Sequence, residues 1–539
     1  MRTFCKAIAC VLAAALLMAA FAGCGNGSGN AGKSVVNVGV TDTLSAANPL
    51  LLDQSELSKV VVDLQYQQLC ELTADLEFVG ILADSITTED NIHFTVHIND
   101  DAVWSDGQPI TADDVIFTVL KFASPVIANA TMLLYAFEGT DDETGFTAEG
   151  ATAEDLTGVT KIDEKTVLFT AKYQMPLATF QNSYGRYLHI LPEHALSGYT
   201  DEELLTTGYF VNPEVISGPY RLTAYDTDHY ITFERNDKYW GGDVNIDVLN
   251  IVILEASQIY AGLASGEIDI VQQTTASIPY DDYENIGALE NVNVTMGAPI
   301  TNQSLFIQTQ NITDVRIRRA ILCGIDRETL VSGYLNGQGE VVDGFLSSAS
   351  PFYDDSLVPV AYDKAYAEQL VKEAAEDGYD ISEPIDFYTN AGDSTMTNVA
   401  AYIASGLGDI GLNVQIHTVD FSNLMTLAGT EEVDMFAVQY SYCPVDPYPD
   451  VDWLLSGEGS WTGYYSDEVR EALDDSQGTD DVARTRADYL AVDRVVQRDV
   501  PMASLYIISA MGATSARLQN AVPDVYGTFI NVAEWALAE

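Results

Sequence analysis

The sequence has few cysteines, basic residues and histidines for its length. Its 539 residues include 6 cysteines, 24 lysines plus arginines and 6 histidines, against 80 aspartates plus glutamates. The formal net charge of −56 excludes nucleic acid as a partner, because a phosphate backbone is bound by patches of lysine and arginine. The acidic residues are dispersed, so they predict a solvated acidic surface rather than an acidic tail.

Cysteine is too sparse for a disulfide framework. Beyond residue 24 only Cys70, Cys323 and Cys443 remain, without close spacing, so we expect free, buried thiols. The histidines form neither an HExxH motif nor a Cys/His zinc pattern, and no G-x-S-x-G elbow occurs. We therefore predict no metal site, no cofactor and no enzymatic activity.

Residues 1–23 have the layout of a secretory signal peptide. Arg2 and Lys6 supply the positive start, and an apolar stretch follows as far as Phe21. This stretch is shorter than the ~20 apolar residues that a membrane-spanning helix needs. We expect the segment to be cleaved and the protein to be exported.

The run Phe21-Ala22-Gly23-Cys24 resembles a bacterial lipobox. The resemblance implies that Cys24 is lipidated and that cleavage occurs before it. An ordinary signal peptide that happens to carry a cysteine is the alternative. Residues 24–34 are rich in Gly, Asn and Ser and predict a flexible linker. The folded part should then be lipid-anchored to the cell membrane on its extracytoplasmic side.

Short hydrophobic segments predict interleaved strands and helices. Strands are expected over Val35 to Val40, His93 to Ile98 and Thr166 to Thr170, whereas Ser55 to Leu69 has helical spacing. The interleaving indicates an α/β fold. The chain beyond the linker is longer than a single core normally allows, so at least two lobes are expected.

Three blocks carry stronger local signals. Thr111 and Asp114 have the form of a capping box at the start of a helix. Residues 217–235 predict a β-hairpin. Asp314 to Arg327 predicts one capped helix with an apolar stripe and with arginines on its other faces. We expect these arginines, at positions 316, 318, 319 and 327, to pair with acids such as Asp314 and Asp326 rather than with a ligand.

In this order and spacing, the blocks resemble the peptide/nickel/opine family of extracytoplasmic solute-binding proteins of ABC importers, often called family 5. Further similar segments, such as Ala264 to Ile270 and Asp499 to Pro501, extend the resemblance over the mature chain. It implies an α/β, two-lobed periplasmic-binding-protein-like fold (type II, cluster C) with a hinge between the lobes. The implied ranges are 35–300 for the first lobe, about 75–205 for an extra subdomain within it, 301–506 for the second lobe and 507–539 for the return to the first lobe.

The same resemblance implies the function. The protein would capture an oligopeptide or similar small polar solute between its lobes and deliver it, as a monomer, to an ABC permease. One alternative is a ligand-sensing lipoprotein of this fold coupled to signalling, and another is a binder of a nickel chelate, an opine or an oligosaccharide. A secreted hydrolase is a third class, without a motif to support it.

The resemblance places ligand contacts between Tyr440 and Pro447. In peptide binders of the family an Asp in this stretch pairs with the peptide α-ammonium, and that position here is Cys443. A neutral thiol cannot replace a carboxylate opposite a buried ammonium. Either Asp446 or another nearby acid forms the pair, or the ligand is not a peptide held by its N-terminus.

Further candidates come from residue type and position. Aromatic rings offer flat apolar area with a polar tip, although each is equally suited to core packing. Arg186 could bind a ligand carboxylate or form a structural salt bridge. The remaining candidates are cleft aromatics, an aromatic residue of the extra subdomain and polar residues near the hinge: Tyr440, Tyr442, Trp461, Tyr184, Gln303 and Ser304.

Overall fold

The structure is a computed structural model that describes residues 32–53, 55–129, 131–274, 278–391, 394–457 and 459–538. The predicted signal peptide, Cys24 and most of the predicted linker lie outside these residues. The lipidation of Cys24 therefore stays a prediction.

The described residues form twenty strands and fifteen α-helices, besides short 3-10 and π-helical turns. The strands are β1 Val35–Val40, β2 Cys70–Leu72, β3 Phe78–Gly80, β4 Ala83–Thr88, β5 His93–Ile98, β6 Val159–Lys161, β7 Thr166–Thr170, β8 Tyr220–Asp226, β9 Tyr230–Arg235, β10 Val248–Ile253, β11 Ile270–Val271, β12 Val292–Met296, β13 Thr301–Ile307, β14 Ile385–Asn390, β15 Val414–Val419, β16 Met435–Ser441, β17 Met502–Ile508, β18 Met511–Ser515, β19 Leu518–Gln519 and β20 Ala536–Leu537. The helices are α1 Glu56–Asp63, α2 Ala112–Phe122, α3 Leu177–Phe180, α4 Glu193–Leu196, α5 Asp201–Thr206, α6 Ile259–Ser265, α7 Tyr283–Gly287, α8 Val315–Gly324, α9 Arg327–Tyr334, α10 Lys364–Glu376, α11 Ser394–Asp409, α12 Phe421–Leu427, α13 Tyr448–Leu454, α14 Asp467–Gln477 and α15 Val482–Asp499.

The first lobe is built on a seven-stranded sheet with the order β12-β18-β11-β1-β10-β9-β8. Its central strand β1 runs parallel to both β10 and β11. Val36, Val38 and Val40 of β1 are buried, as expected for a strand covered on its faces. The C-terminal segment returns to this lobe, where the buried Trp535 joins the same core.

The second lobe is built on a five-stranded sheet with the order β15-β14-β16-β13-β17. β13 pairs antiparallel with β16 and β17, and β14 runs parallel to β15 and β16. Helix α8 packs its apolar stripe into the core of this lobe, with Ile317, Ala320 and Ile321 fully buried. The stripe predicted from the sequence is confirmed.

Two short segments connect the sheets. The chain leaves the first sheet after β12 and enters the second at β13, and it returns from β17 to β18. The connections touch each other, since Gly297 N donates to Ala510 O at 3.0 Å. Such a pair of adjacent crossings is where a two-lobed protein can bend. The architecture agrees with the predicted α/β, two-lobed fold.

An inserted subdomain precedes β8 in the chain. Its four-stranded sheet has the order β4-β5-β7-β6, and its core includes the stacked rings of Phe94 and Phe180, whose centroids are 4.5 Å apart. Helix α2 begins with the predicted capping box, in which Thr111 N donates to Asp114 Oδ2 at 2.9 Å. The predicted strands β1, β5 and β7 also have the bounds expected from the sequence.

Two predicted helices differ from the structure. The one expected over residues 55–69 ends at Asp63. Beyond it, the carbonyl oxygens of Leu64 and Gln65 accept from Tyr220 N at 3.0 Å and Gly218 N at 2.9 Å instead of continuing a helix. The helix expected over residues 314–327 is interrupted at Ile325, whose backbone is extended, so that α8 and α9 are separate.

The arginines of this segment also depart from expectation. Arg316 pairs with Asp314 at 2.7 Å as predicted. Arg327, however, is buried and pairs with Asp343 at 2.6 Å, because Asp326 caps α9 by accepting from Thr329 N. Arg318 is buried too and donates to backbone carbonyl oxygens, those of residues 312, 313 and 499. These two guanidiniums fix chain segments inside the second lobe.

Cys70, Cys323 and Cys443 are free and buried, which confirms the expectation for the thiols. Within the described ranges, we find no helix with both the length and the apolar character required to cross a bilayer.

Candidate functional site

The two lobes meet at a buried carboxylate. Asp446 lies in the second lobe between β16 and α13, and two side chains of the first lobe donate to it. Thr179 Oγ1 is 2.8 Å from Asp446 Oδ1, and Asn182 Nδ2 is 3.0 Å from Asp446 Oδ2. Burial raises the pKa of Asp446 to about 6, although both hydrogen bonds lower it. These bonds hold the lobes together in this conformation.

Asn182 extends this contact into the first lobe. Its Oδ1 accepts from Arg186 Nη1 at 3.2 Å, and Arg186 Nε donates to Glu71 Oε1 at 2.5 Å. The π-helical turn Gln181–Gly185 sets the spacing that lets Asn182 face both groups. A continuous path of hydrogen bonds therefore runs from Glu71 through Arg186 and Asn182 to Asp446.

Glu71 lies between two cations. Besides Arg186, it is bonded by Lys59 Nζ at 2.5 Å, and Lys59 also bonds Asp63 at 2.8 Å. Burial alone would raise the pKa of Glu71, but Arg186 and Lys59 outweigh burial and lower it to about 2. His189 Nε2 lies 2.6 Å from the other oxygen of Asp63. The cluster is polar and mostly buried, and each of its side chains has a hydrogen-bond partner, as expected for a rigid wall of a binding site.

A cavity of about 60 Å³ lies against this cluster in the first lobe. α1 and the C-terminal segment from Val525 to Val532 form its sides, and Lys59, Glu71 and Arg186 line it. The ring of Tyr526 lies 5.4 Å from the Arg186 guanidinium. The cavity is too small for a whole oligopeptide.

Cys443 interacts electrostatically with Arg186 and Tyr526, which places it at the junction of the second lobe with this wall. Burial raises the pKa of its thiol to about 12, although Arg186 lowers it. The group is thus neutral at physiological pH. Its neighbour Asp446, the acid considered as a substitute ammonium partner, already accepts two hydrogen bonds from the first lobe.

The three aromatic candidates of the second lobe belong to one ring cluster. Tyr440 lies 4.9 Å from Tyr442 and 5.7 Å from Trp461, measured between ring centroids, and Trp461 packs on Phe306. Tyr440 and Trp461 are half-buried, and Tyr442 is buried. Tyr440 also donates to Asp450 Oδ1 at 2.7 Å. The rings can support a ligand and core packing alike, as expected from the sequence.

The other candidates lie apart from the cavity. Tyr184 packs on Phe137, with ring centroids 4.7 Å apart, inside the core of the inserted subdomain. Gln303 and Ser304 are buried in β13, the strand that pairs with both β16 and β17. Gln303 Nε2 makes no hydrogen bond with any described residue. Whether these three residues contact a ligand stays a prediction.

Four residues of the site were missed from the sequence: Lys59, Glu71, Thr179 and Asn182. Lys59 and Asp63 have the i,i+4 spacing of an ordinary ion pair on a helix surface. The sequence therefore gives no sign that folding buries this lysine. Glu71 and Asn182 lie more than 100 residues apart and meet only through Arg186. No local pattern reports such a contact.

One motif in the sequence is followed by a strand instead of a helix. Residues 27–34 have the G-x-x-x-x-G-K-S spacing of a phosphate-binding loop. Such a loop must follow a strand and open a helix. Here strand β1 begins at Val35, directly after the motif, so the spacing does not indicate a nucleotide site.

Among the described residues, no group of three or more His, Cys, Asp or Glu side chains is arranged to hold a metal ion. His93 and His97 lie at the surface of β5, where each faces a single aspartate, at position 90 or 84.

Comparisons with known proteins agree with this architecture. The oligopeptide-binding protein AppA of Bacillus subtilis is 24% identical over 511 residues, which cover 91% of this chain and 89% of AppA. The oligopeptide-binding protein OppA of the same organism is 22% identical and covers 90% of each chain. The solved structure of AppA in complex with a nonapeptide superimposes with a TM-score of 0.77, at 22% identity, over 94% of this chain and 99% of AppA.

A second solved structure shows the same fold with another kind of ligand. NikZ of Campylobacter jejuni, in complex with Ni(L-His), gives a TM-score of 0.74 at 18% identity and covers 94% of this chain and 99% of NikZ. The profile of the bacterial extracellular solute-binding proteins, family 5 Middle, matches residues 77–462. The chain therefore belongs to the bacterial extracellular solute-binding proteins of family 5.

Proposed function

We propose that this protein captures a solute between its two lobes and delivers it to an ABC permease on the extracytoplasmic side. The observation that carries the proposal is the contact of the lobes through Asp446, Thr179 and Asn182, next to a polar cavity, in a protein whose sheets are joined by two adjacent crossings. Closure about such a hinge is how a binding protein signals occupancy to a partner. Binding and release without turnover of the ligand complete the proposal.

The cargo class is an oligopeptide or a similar small polar solute, since AppA and OppA are named oligopeptide-binding proteins. One observation favours a second candidate. Position 443 carries a neutral thiol near the Arg186 guanidinium and near Asp446, whose two oxygens already accept hydrogen bonds from the first lobe. An ammonium group would therefore meet a cation and no free carboxylate there. A non-peptide solute such as a nickel chelate, an opine or an oligosaccharide, or a peptide not held by its N-terminus, fits this wall better.

We propose the ligand contacts on the same basis. Arg186 lines the cavity and is 94% buried, with a relative exposure of 6%. Its Nη2 makes no hydrogen bond within the described residues, so it can bind a ligand carboxylate while Nε stays on Glu71. The proposed contacts of the second lobe are Tyr440, Tyr442, Cys443, Asp446 and Trp461, with Gln303 and Ser304 near the hinge and Tyr184 in the inserted subdomain.

Native mass spectrometry tests solute capture directly. Protein purified without unfolding should carry a mass excess of a few hundred daltons that disappears on denaturation, because closed lobes retain their ligand. Arg186→Gln should lose this excess, whereas Arg484→Gln, at an exposed site on α15, should keep it. If neither the purified protein nor protein incubated with a peptide hydrolysate carries a ligand, the proposal is wrong.

Delivery is tested in cells with the ligand so identified. Uptake of the labelled solute should be lost when either this protein or its permease is deleted. Retained uptake with a lost transcriptional response would instead support the sensing alternative. Chemical conversion of the solute by the purified protein would contradict a purely binding role.

We also propose that Cys24 anchors the protein through lipid. The lipobox-like run and the linker that follows support this, and tethering would raise the effective concentration of a monomeric receptor beside its permease. Cys24→Ala should move the protein from the membrane fraction to the soluble fraction, with its thermal unfolding unchanged. An unchanged membrane fraction would contradict the anchor.

A further inference from the structure

A second pocket lies in the second lobe, away from the residues of the interlobe site. Its volume is about 190 Å³, and helices α8, α10 and α15 contribute to its walls. The polar groups that line it are Arg319, Tyr366, Arg494, Gln497 and Arg498. No aspartate or glutamate lines the pocket. It is therefore a basic pocket in a protein whose net charge is −56.

Within the described part of the chain, the side chains of two of these arginines have no hydrogen-bond or ion-pair partner. The side chains of Arg319 and Arg494 make neither a hydrogen bond nor an ion pair with any described residue, whereas nearly every other basic side chain binds an acid or a backbone carbonyl. With 80 acids and 24 basic residues in the chain, an unpaired arginine is unexpected, and two in one pocket more so. Both are exposed, so their guanidinium groups are accessible.

The local geometry concentrates positive charge. Arg494 and Arg498 are four residues apart on α15, so their side chains emerge on the same helix face, one turn apart. Arg498 is partly neutralised by Glu468 and Asp499, each at 3.0 Å. Arg494 forms no ion pair with a described residue and interacts only at longer range with Asp354. Arg319 approaches from α8, which packs against α15. Like charges held together by the fold favour a counter-anion between them.

We propose that this pocket binds a compact oxyanion of the phosphate class. A guanidinium presents a planar fork of donors that matches the oxygens of phosphate, and two forks from different helices can hold one such group. The Tyr366 hydroxyl on α10 supplies a further donor. Gln497 is already engaged, since its Nε2 donates to Asp343 Oδ2 at 2.7 Å and to Val358 O at 2.9 Å, and it serves as a fixed wall.

The source of the phosphate group is a small soluble anion rather than a lipid headgroup. A surface with this excess of acids is repelled by an anionic membrane. A small soluble anion, in contrast, can enter the pocket without bringing the rest of the acidic surface close to other anions. Because a soluble anion and a lipid headgroup both carry a phosphate group, one experiment can compare the two sources.

Isothermal titration of the purified protein with inorganic phosphate tests the proposal. Binding should occur in the wild type with one site per chain and should weaken at least tenfold in the double variant Arg319→Gln/Arg494→Gln. The matched control is Lys238→Gln/Arg484→Gln, which removes the same charge at exposed positions outside the pocket. The control should bind phosphate as the wild type does.

A second arm uses vesicles containing an anionic phospholipid. We expect that neither the wild type, the double variant nor the control variant binds the vesicles. If the wild type binds them and the double variant does not, the choice of a soluble anion is overturned. The oxyanion site itself is overturned if wild type and double variant bind phosphate equally, or if the wild type shows no binding. Thermal unfolding of each variant shows whether it is folded, and the single variant Arg494→Gln serves if the double variant is not.

Discussion

At the residue scale, Asp493 is a carboxylate that folding buries on α15 without an ion pair. It accepts from Phe345 N at 3.1 Å, and burial, with repulsion by Asp343, raises its pKa to about 7. In the unfolded chain an aspartate has a pKa of about 4. The folded state therefore holds a proton that the unfolded state has released, and stability should fall as pH rises from about 4 to about 7.

Asp493→Asn should remove this loss while keeping the acceptor for Phe345 N. We expect the free energy of unfolding to rise by roughly 2 kcal/mol at about pH 8 and to change little at about pH 4. Urea unfolding at the two pH values measures it. Asp354→Asn is the control and should not show this pattern, because hydrogen bonds from Ser356 lower the pKa of Asp354 instead of raising it. A variant less stable than the wild type at the higher pH would contradict the prediction.

Cys443 is the residue at which cargo specificity can be tested. If position 443 corresponds to the ammonium-binding aspartate of peptide binders, the wild type should bind a free and an N-acetylated peptide with similar affinity. Cys443→Asp should then prefer the free N-terminus by at least about tenfold, since an ammonium gains a carboxylate partner. Calorimetry with the paired peptides measures the difference. Cys443→Ser is the control, and equal preference in all three proteins would show that the alignment is wrong.

At the scale of elements, α3 and the π-helical turn after it connect the cavity wall to the second lobe. Asn182 carries that connection, because it donates to Asp446 and accepts from Arg186. Thr179, in contrast, donates to Asp446 and makes no hydrogen bond with Arg186 within the described residues. Its other contact is to Gln477 Oε1 at 3.5 Å. Substituting Thr179 therefore removes a contact between the lobes alone, whereas substituting Asn182 also removes the contact with Arg186 in the cavity wall.

Asn182→Ala should shift the protein toward an open form and weaken ligand retention. Losing a hydrogen bond to a charged group costs about 1.5–3 kcal/mol, so the ratio of closed to open molecules should fall roughly tenfold or more. Small-angle scattering should show a larger radius of gyration. Thr179→Val should open the lobes similarly but leave Arg186 in place and affect retention less. Unchanged scattering and retention in Asn182→Ala would contradict the role of this path.

At the scale of the whole molecule, the acidic surface opposes folding. Without residues 1–23 the chain loses Arg2 and Lys6, which leaves 22 basic against 80 acidic side chains. Salt screens repulsion between exposed charges, so the melting temperature should rise from about 0.05 M to about 1 M sodium chloride. Potassium chloride should give the same rise if screening is the cause. A flat or falling melting temperature would contradict the prediction.

Short-range chemistry made much of the fold predictable. β1, β5 and β7 follow from alternating or continuous apolar residues, and the start of α2 follows from the Thr111 and Asp114 capping pair. The end of α1 did not follow, because carbonyls beyond it bond to residues near position 220. The burial and pairing of Arg327 could not be predicted from the sequence either, because its partner Asp343 comes from a separate loop. Each failure involves a partner distant in sequence.

The sequence by itself determined the α/β class, the family and the absence of a carboxylate at position 443, since these depend on composition, order and local spacing. The export signal is likewise read from the sequence and stays a prediction. Only the tertiary structure decided which charges meet. Folding brings Glu71, Arg186, Asn182 and Asp446 into one hydrogen-bonded path. It also places Arg319 and Arg494 in the wall of one pocket, where neither forms an ion pair with a described residue. The physical reason is that electrostatic and hydrogen-bond interactions depend on distances of a few ångströms between side chains that the sequence separates by hundreds of residues.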